Sequence, residues 1–264
     1  MKWMNLSVWT VLALAPFSTT PAGAAPGEWE RVGKTGEWAQ TQFLSGAAGA
    51  LWSVESDGTL YLTNPDGSWE QIGPQGNLKE VRAFVAADTA LWALAGDNLY
   101  RTSKKGGWVK VGEGGWEETQ LFAVLNDEIW SIEKDGSLHL TNKRGEYNQV
   151  GKTGEWIGTR LLAAMNNSLW TIEKTGTLYR TESDGKWAQI GKEGIWANTK
   201  LMTSSGDYLW AIQNNGDLFR IAQNGEYQRI GEAGAWKDTA KMTALDGNLW
   251  TIEKNGSLYR TSTR

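Results

Sequence analysis

Five segments of the chain set a tryptophan one or two residues after a glycine, in stretches otherwise rich in Lys, Glu and Thr. They are Trp38 with Gly36, Trp116 with Gly115, Trp156 with Gly154, Trp196 with Gly194 and Trp236 with Gly234. An indole so placed offers a flat apolar platform to the C–H face of a pyranose, with backbone N–H groups and polar side chains near enough to hold its hydroxyls. The same indole could instead plug a gap between packed sheets, and sequence leaves both readings open. Gly73-Pro74-Gln75-Gly76-Asn77-Leu78 breaks the pattern, so a site there should be weak or absent.

Other chemistries find little support. The chain has no cysteine, which removes disulfides, thiol ligands and a thiol nucleophile. Its single histidine, His139, falls where the other units carry Tyr61, Tyr100, Tyr179, Phe219 and Tyr259, and reads as an aromatic stand-in. Glu133, Glu173 and Glu253 each precede a lysine and are expected to form surface ion pairs of small energetic value. No asymmetric pair of carboxylates stands out for hydrolysis. No Asp-x-Asp-x-Asp-Gly loop, histidine cluster or phosphate-cradling glycine motif occurs, so neither metal nor nucleotide cofactor is expected. The chain thus reads as a binding protein without catalytic residues. The formal charge of −4, with both signs interspersed, provides no basic field for a nucleic acid.

The elements that position the indoles come from a repeat. The dipeptide Leu/Ile-Trp recurs at Trp52, Trp92, Trp130, Trp170, Trp210 and Trp250, spaced 40, 38, 40, 40 and 40 residues apart. In register with it run Trp29, Trp69, Trp108, Tyr147, Trp187 and Tyr227, each four residues before a glycine. Within one unit, strands are predicted at 199–203, 208–212, from 216 and at 226–230, separated by Asn/Asp-Gly turn signals. Leu209-Trp210-Ala211-Ile212 is apolar toward both faces, as a sheet sandwiched between neighbours requires. Four short antiparallel strands per unit, six times over, predict an all-β, six-bladed β-propeller. The last unit lacks a fourth strand, and residues 28–33 carry that pattern at the other end, so the N-terminal strand should join the last blade and close the ring. The Leu/Ile-Trp indoles read as core, and the aromatics of the fourth strand as structural.

Ahead of the repeats, Met1-Lys2-Trp3, an apolar run from Met4 to Phe17 and the small residues to Ala25 have the layout of a secretory signal. This divides the chain into a signal peptide, 1–24, and a single propeller domain, 25–264, secreted or periplasmic. Nothing later approaches the ~18 consecutive apolar residues of a membrane span.

The repeat form W-x-x-I/V-G, G-x-W, L-W-x-I, G-x-L-Y-R resembles the tectonin and tachylectin-2 type lectin propellers over residues 28 to 264. That resemblance implies repeated inter-blade sites for N-acetylated sugars or lipopolysaccharide around Trp38, Trp116, Trp156, Trp196 and Trp236. Glycans or glycoconjugates are the expected partners. A protein partner gripped by the irregular residues 74–81 is the alternative, and a hydrolase with a central-channel site the third reading.

Overall fold

Alternation of apolar residues on both faces and a turn signal about every ten residues leave each unit one compact arrangement, a small twisted sheet covered on both sides. The computed structural model describes residues 26–102 and 107–264, and the predicted signal segment 1–24 lies outside them. Every regular element among the described residues is a strand.

The short β1 (Glu30–Val32) comes first. β2 (Thr41–Ala47), β3 (Ala50–Glu55), β4 (Leu60–Thr63) and β5 (Trp69–Ile72) form the first blade. The second comprises β6 (Val81–Ala86), β7 (Leu91–Ala95), β8 (Asn98–Thr102) and β9 (Val109–Val111), and the third β10 (Thr119–Leu125), β11 (Glu128–Glu133), β12 (Leu138–Thr141) and β13 (Tyr147–Val150). β14 (Thr159–Met165), β15 (Ser168–Glu173), β16 (Leu178–Thr181) and β17 (Trp187–Ile190) make the fourth. The fifth is β18 (Thr199–Ser205), β19 (Tyr208–Gln213), β20 (Leu218–Ala222) and β21 (Tyr227–Ile230). β22 (Thr239–Leu245), β23 (Asn248–Glu253) and β24 (Leu258–Ser262) complete the sixth together with β1. The chain is a six-bladed β-propeller, as the repeat predicts.

Tight turns join the first two strands of a blade. Asn126 and Asn166 (φ 55° and 50°) with Asp127 and Asn167 (φ 62° and 61°) put two positive-φ residues in succession, the conformation that matches strand twist in a two-residue hairpin. The innermost strands β2, β6, β10, β14, β18 and β22 pack side by side around the axis. At the start of each one the register slips by a residue, at positions 42, 82, 120, 160, 200 and 240, a β-bulge repeated in all six blades.

Closure follows from β1 pairing antiparallel to β24, with Glu30 opposite Arg260 and Val32 opposite Leu258. Glu30 accepts from Arg260 Nε at 2.7 Å, Arg260 being mostly buried, and the Gly27 amide donates to Thr261 Oγ1 at 3.1 Å. The core lies between blades. Trp52, Trp92, Trp130, Trp170, Trp210 and Trp250 are at most 2% exposed, each in a cluster that draws on two adjacent sheets, as Trp250 does with Leu51 and Trp38. Trp210→Ala should therefore lower unfolding free energy by about 3–5 kcal/mol. Urea denaturation followed by far-UV circular dichroism checks this, and an unchanged midpoint would contradict it.

Candidate functional site

Each link between blades runs from an outer strand to the next inner strand and must turn sharply. Gly33, Gly151 and Gly231 take φ of +67°, +68° and +68°, and a Cβ on any of them would fall 2.5–2.7 Å from the tip of the link indole, Trp38, Trp156 or Trp236. Only glycine leaves room for that ring. Glu37 and Glu155 tighten the same turns by accepting the Lys34 and Lys152 amides at 2.6 and 2.7 Å. The links are then pinned to the preceding blade: the amides of Trp38, Trp156, Trp196 and Trp236 donate to Gly256, Gly136, Gly176 and Gly216 carbonyls at 2.9–3.1 Å.

The bulge residue adds a second fastening in three blades. Lys200 Nζ donates to the carbonyls of Trp236, Lys237 and Thr239 at 3.0, 2.9 and 2.9 Å, across the gap to the next blade. Arg160 reaches the Trp196 and Thr199 carbonyls, and Arg82 those of Trp116 and Thr119. Burial pushes the Lys200 and Arg160 pKa values down. Sequence reading missed these cations; their only signal is recurrence of a long basic side chain one place after the Thr or Val that opens the inner strand.

Thus held, the link indoles are core. Trp38, Trp116, Trp156, Trp196 and Trp236 are 5%, 7%, 4%, 2% and 0% exposed. The aromatics of the fourth strand, expected to be structural, carry the accessible surface: Trp69, Tyr147 and Trp187 are 53%, 67% and 52% exposed. The physical reason is packing order. A link lies between two sheets, whereas the fourth strand is the rim of its own.

Both aromatics meet in open clefts that recur from blade to blade. In the first blade a cavity of about 360 Å³ is lined by Trp38, Ser53, Glu55, Tyr61, Thr63 and Trp69. The fourth blade repeats it at about 320 Å³ with Trp156, Thr171, Glu173, Tyr179, Thr181 and Trp187. The third has a larger one, about 620 Å³, where Trp116, Ser131, Glu133, His139, Thr141 and Tyr147 take the matching places. Tyr61 meets Trp69, and Tyr179 meets Trp187, edge-on at 5.4 Å and 88° in both blades. His139 does stand in for that tyrosine, tilted at 36° against Tyr147 with centroids 5.7 Å apart.

The other predicted positions separate from these clefts. Trp196 is covered by Tyr227 and Phe219, at 5.2 and 5.7 Å, and Trp236 by Trp29 at 4.8 Å. In the second blade Leu78, standing for the indole, is buried in a cluster against which Trp108 packs. Of the five link glycines, Gly115 lines the third cleft, while Gly36, Gly154 and Gly194 line none of the three. The Gly115 and Gly234 amides donate to Asp97 and Asp217 at 2.8 Å and so are already satisfied within the chain.

The glutamates of the second strand are not surface ion pairs. Thr41, Thr119, Thr159 and Thr239 donate hydroxyl hydrogen bonds to Glu55, Glu133, Glu173 and Glu253 at 2.8, 2.8, 2.5 and 2.6 Å. The following lysines pair elsewhere, Lys134 with Glu118 and Lys254 with Asp238, because strand alternation turns successive residues to opposite faces. Burial raises the pKa of Glu55, Glu173 and Glu253 against the opposing pull of their threonines.

At the axis, inner-strand turns ring a channel mouth of about 640 Å³. Asn126 donates to Asn167 at 3.0 Å and Asn166 to Asp207 at 2.9 Å, linking blade to blade. Among the described residues no group of three or more His, Asp or Glu is placed to hold a metal ion.

No protein-family model and no curated protein matches the chain. Among solved structures it is similar to virginiamycin B lyase from Staphylococcus aureus, at 13% identity and a TM-score of 0.62 over 88% of this chain and 98% of that one. YCF48 from Cyanidioschyzon merolae is similar at 12% identity and a TM-score of 0.55, over 83% and 81% of the two chains. YCF48 bound to D1 peptide gives 13%, 0.54, and coverage of 92% and 100%. These likenesses are of fold, and they support the resemblance to lectin propellers only at the level of the propeller. They also correct the expectation that the chain is not an enzyme, since a lyase shares its architecture and the repeat pattern carries no argument against catalysis.

A raised carboxyl pKa means that the folded chain holds more protons than the unfolded chain just above the ordinary glutamate range, so this contribution to stability falls as pH rises through it. Glu173→Gln removes one such group while keeping an acceptor for Thr159. The variant should gain relative to the parent over a window that opens at about pH 4.5, the ordinary glutamate value, and extends upward because the Glu173 pKa is raised, read as the difference in urea midpoints. A constant difference across that window would show the Glu173 carboxyl to be unperturbed.

Proposed function

We propose that the chain binds carbohydrate in the three open clefts of its first, third and fourth blades. The observation that carries this reading is the recurrence, in the first and fourth blades, of a half-exposed indole set edge-on to a tyrosine above a hydroxyl and a carboxylate. An indole face receives the C–H face of a pyranose, and the half-buried carboxylate of Glu55 or Glu173 offers acceptors to its hydroxyls. The platform is the outer-strand aromatic, while the link indoles Trp38, Trp116 and Trp156 form the inner wall.

Charge narrows the sugar. The first cleft presents Glu37, Glu55 and Asp57 with no base, and in the third five carboxylates face Arg144 alone among Lys and Arg. Neutral N-acetylated or amine-bearing sugars suit such walls better than the phosphates of lipopolysaccharide. Several equivalent sites on one ring would gain ~10²–10⁴-fold on a multivalent surface where geometry allows joint engagement. A glycan outside the cytoplasm is consistent with the signal layout of residues 1–24.

A protein ligand is the second reading, favoured by Ile157, 60% accessible and lining the fourth-blade cleft, and by Val109, 66% accessible on the outer strand of the second blade. It predicts one partner per chain and no competition by free sugar.

Trp69→Ala and Trp187→Ala should each weaken sugar binding at their own cleft by at least 10-fold, about 1.4 kcal/mol, with the thermal midpoint nearly unchanged. Trp156→Ala should instead lower the midpoint, because its ring is buried. Calorimetric titration with tri-N-acetylchitotriose, with the recovered sugar analysed for cleavage, checks binding and turnover together. Unaltered affinity in the Trp69 and Trp187 variants would place the sugar elsewhere.

A further inference from the structure

The third strands of four blades carry an arginine at one matching place, Arg101, Arg180, Arg220 and Arg260. Each guanidinium lies over a ring of the second strand, Trp92, Trp170, Tyr208 or Trp250, at 5.3, 6.0, 4.7 and 5.7 Å from its centroid. Three of them also have an acceptor. Arg180 pairs with Glu182 at 2.9 Å, Arg260 pairs with Glu30 at 2.7 Å, and Arg220 donates to Gln228 Oε1 at 3.3 Å. Arg101 instead stands opposite Val109 in the ladder, and its Nε is buried with no hydrogen-bond partner. Arg180 Nε also lacks an aligned hydrogen bond, but keeps Glu182 as its counter-charge.

The neighbouring blade brings further cations to Arg101. The β12–β13 hairpin packs so closely on the end of β9 that a Cβ on Gly145 would fall 2.6 Å from the Gly112 Cα. Its tip reads Asn142-Lys143-Arg144-Gly145, where the matching tips read Asn64-Pro65-Asp66-Gly67, Glu182-Ser183-Asp184-Gly185 and Ala222-Gln223-Asn224-Gly225. Asp66, Asp184 and Asn224 each accept the amide two residues on, at 2.9, 3.0 and 3.0 Å, which tightens the turn. Arg144 gives up that local bond and brings a positive charge to the place where two of the other tips carry a negative one.

A groove of about 350 Å³ results, whose charged lining is Arg101, Lys110, Lys143 and Arg144 with no Asp or Glu. Lys110 Nζ donates to the Glu113 carbonyl at 3.3 Å, and among the described residues none of the four forms an ion pair. In a chain of net charge −4 these four cations repel one another across one groove. Guanidinium forks and ammonium groups converging on one cavity match the acceptors of a phosphate or sulfate. The groove ends at Arg144, beyond which the third cleft presents five carboxylates, so a polyanion running on past it would be repelled.

We infer that this groove is an oxyanion site: it takes a single phosphate or sulfate group between the half-buried Arg101 and the exposed Lys110, Lys143 and Arg144. The site lies outside the three sugar clefts and does not rest on the carbohydrate reading.

The test is calorimetric titration of the parent chain, Arg144→Asp and Lys143→Ala with inorganic phosphate, at constant ionic strength in chloride. The parent should bind one phosphate per chain, and each variant should bind it about 10-fold more weakly. Arg144→Asp installs the residue found in the first and fourth hairpins, so its thermal midpoint in chloride should not fall; Lys143→Ala alters an exposed turn residue and gives an independent reading. A second arm uses N-acetylglucosamine 6-phosphate. Tighter binding than inorganic phosphate, lost in the same variants, identifies an anionic group carried on a sugar, and equal binding identifies the free anion. Parent and both variants binding alike, or a parent that binds neither probe, would overturn the inference. Phosphate bound here with tri-N-acetylchitotriose absent from Trp69 and Trp187 would sustain this site while sinking the carbohydrate reading.

Discussion

Among the described residues no strand ladder runs between adjacent blades, so the ring depends on side chains and on the links, and the contact that organises them is the link indole lying on a glycine. Gly33, Gly151 and Gly231 adopt positive φ directly beneath the ring tip, and the indole amide is anchored to a turn of the preceding blade. One residue thus fixes the link's direction, seals the gap between two sheets and sets the inner wall of each cleft. Where leucine replaces it, at Leu78, the outer indole Trp108 packs in against the leucine's cluster.

The repeated bulge at the start of the inner strands serves the same contact. A bulge re-aims one side chain without disturbing the rest of the ladder. In three blades it sends a cation across the gap to the carbonyls that follow the next indole. In the others the position is Gln42, Gln120 or Ala240. The ring therefore varies its fastening from blade to blade while leaving backbone geometry constant. Quasi-equivalent clefts of 320 to 620 Å³ stand on that one scaffold.

The architecture was legible because its determinants are local and periodic. The Leu/Ile-Trp dipeptides mark second strands, the Asn/Asp-Gly pairs mark hairpins, and residues 28–33 matched the strand missing from the last unit. The site was legible only in part. Trp38 and Trp69 are both indoles near glycines, and which of them faces solvent depends on whether a neighbouring sheet covers it, a tertiary fact that flanking residues do not encode. Glu173 likewise looks like half of an Ile-Glu-Lys ion pair until the strand turns it toward Thr159.

The central claim is that accessible outer indoles, backed by buried link indoles, form the binding surface. Its most direct test is a two-dimensional ¹H–¹⁵N spectrum of the tryptophan side chains during titration with tri-N-acetylchitotriose. The account predicts shifts at the indole N–H signals of Trp69 and Trp187, smaller ones at Trp38 and Trp156, and none at Trp52, Trp92, Trp170 or Trp210. Shifts confined to residues of the channel mouth, with Trp69 and Trp187 silent, would contradict it.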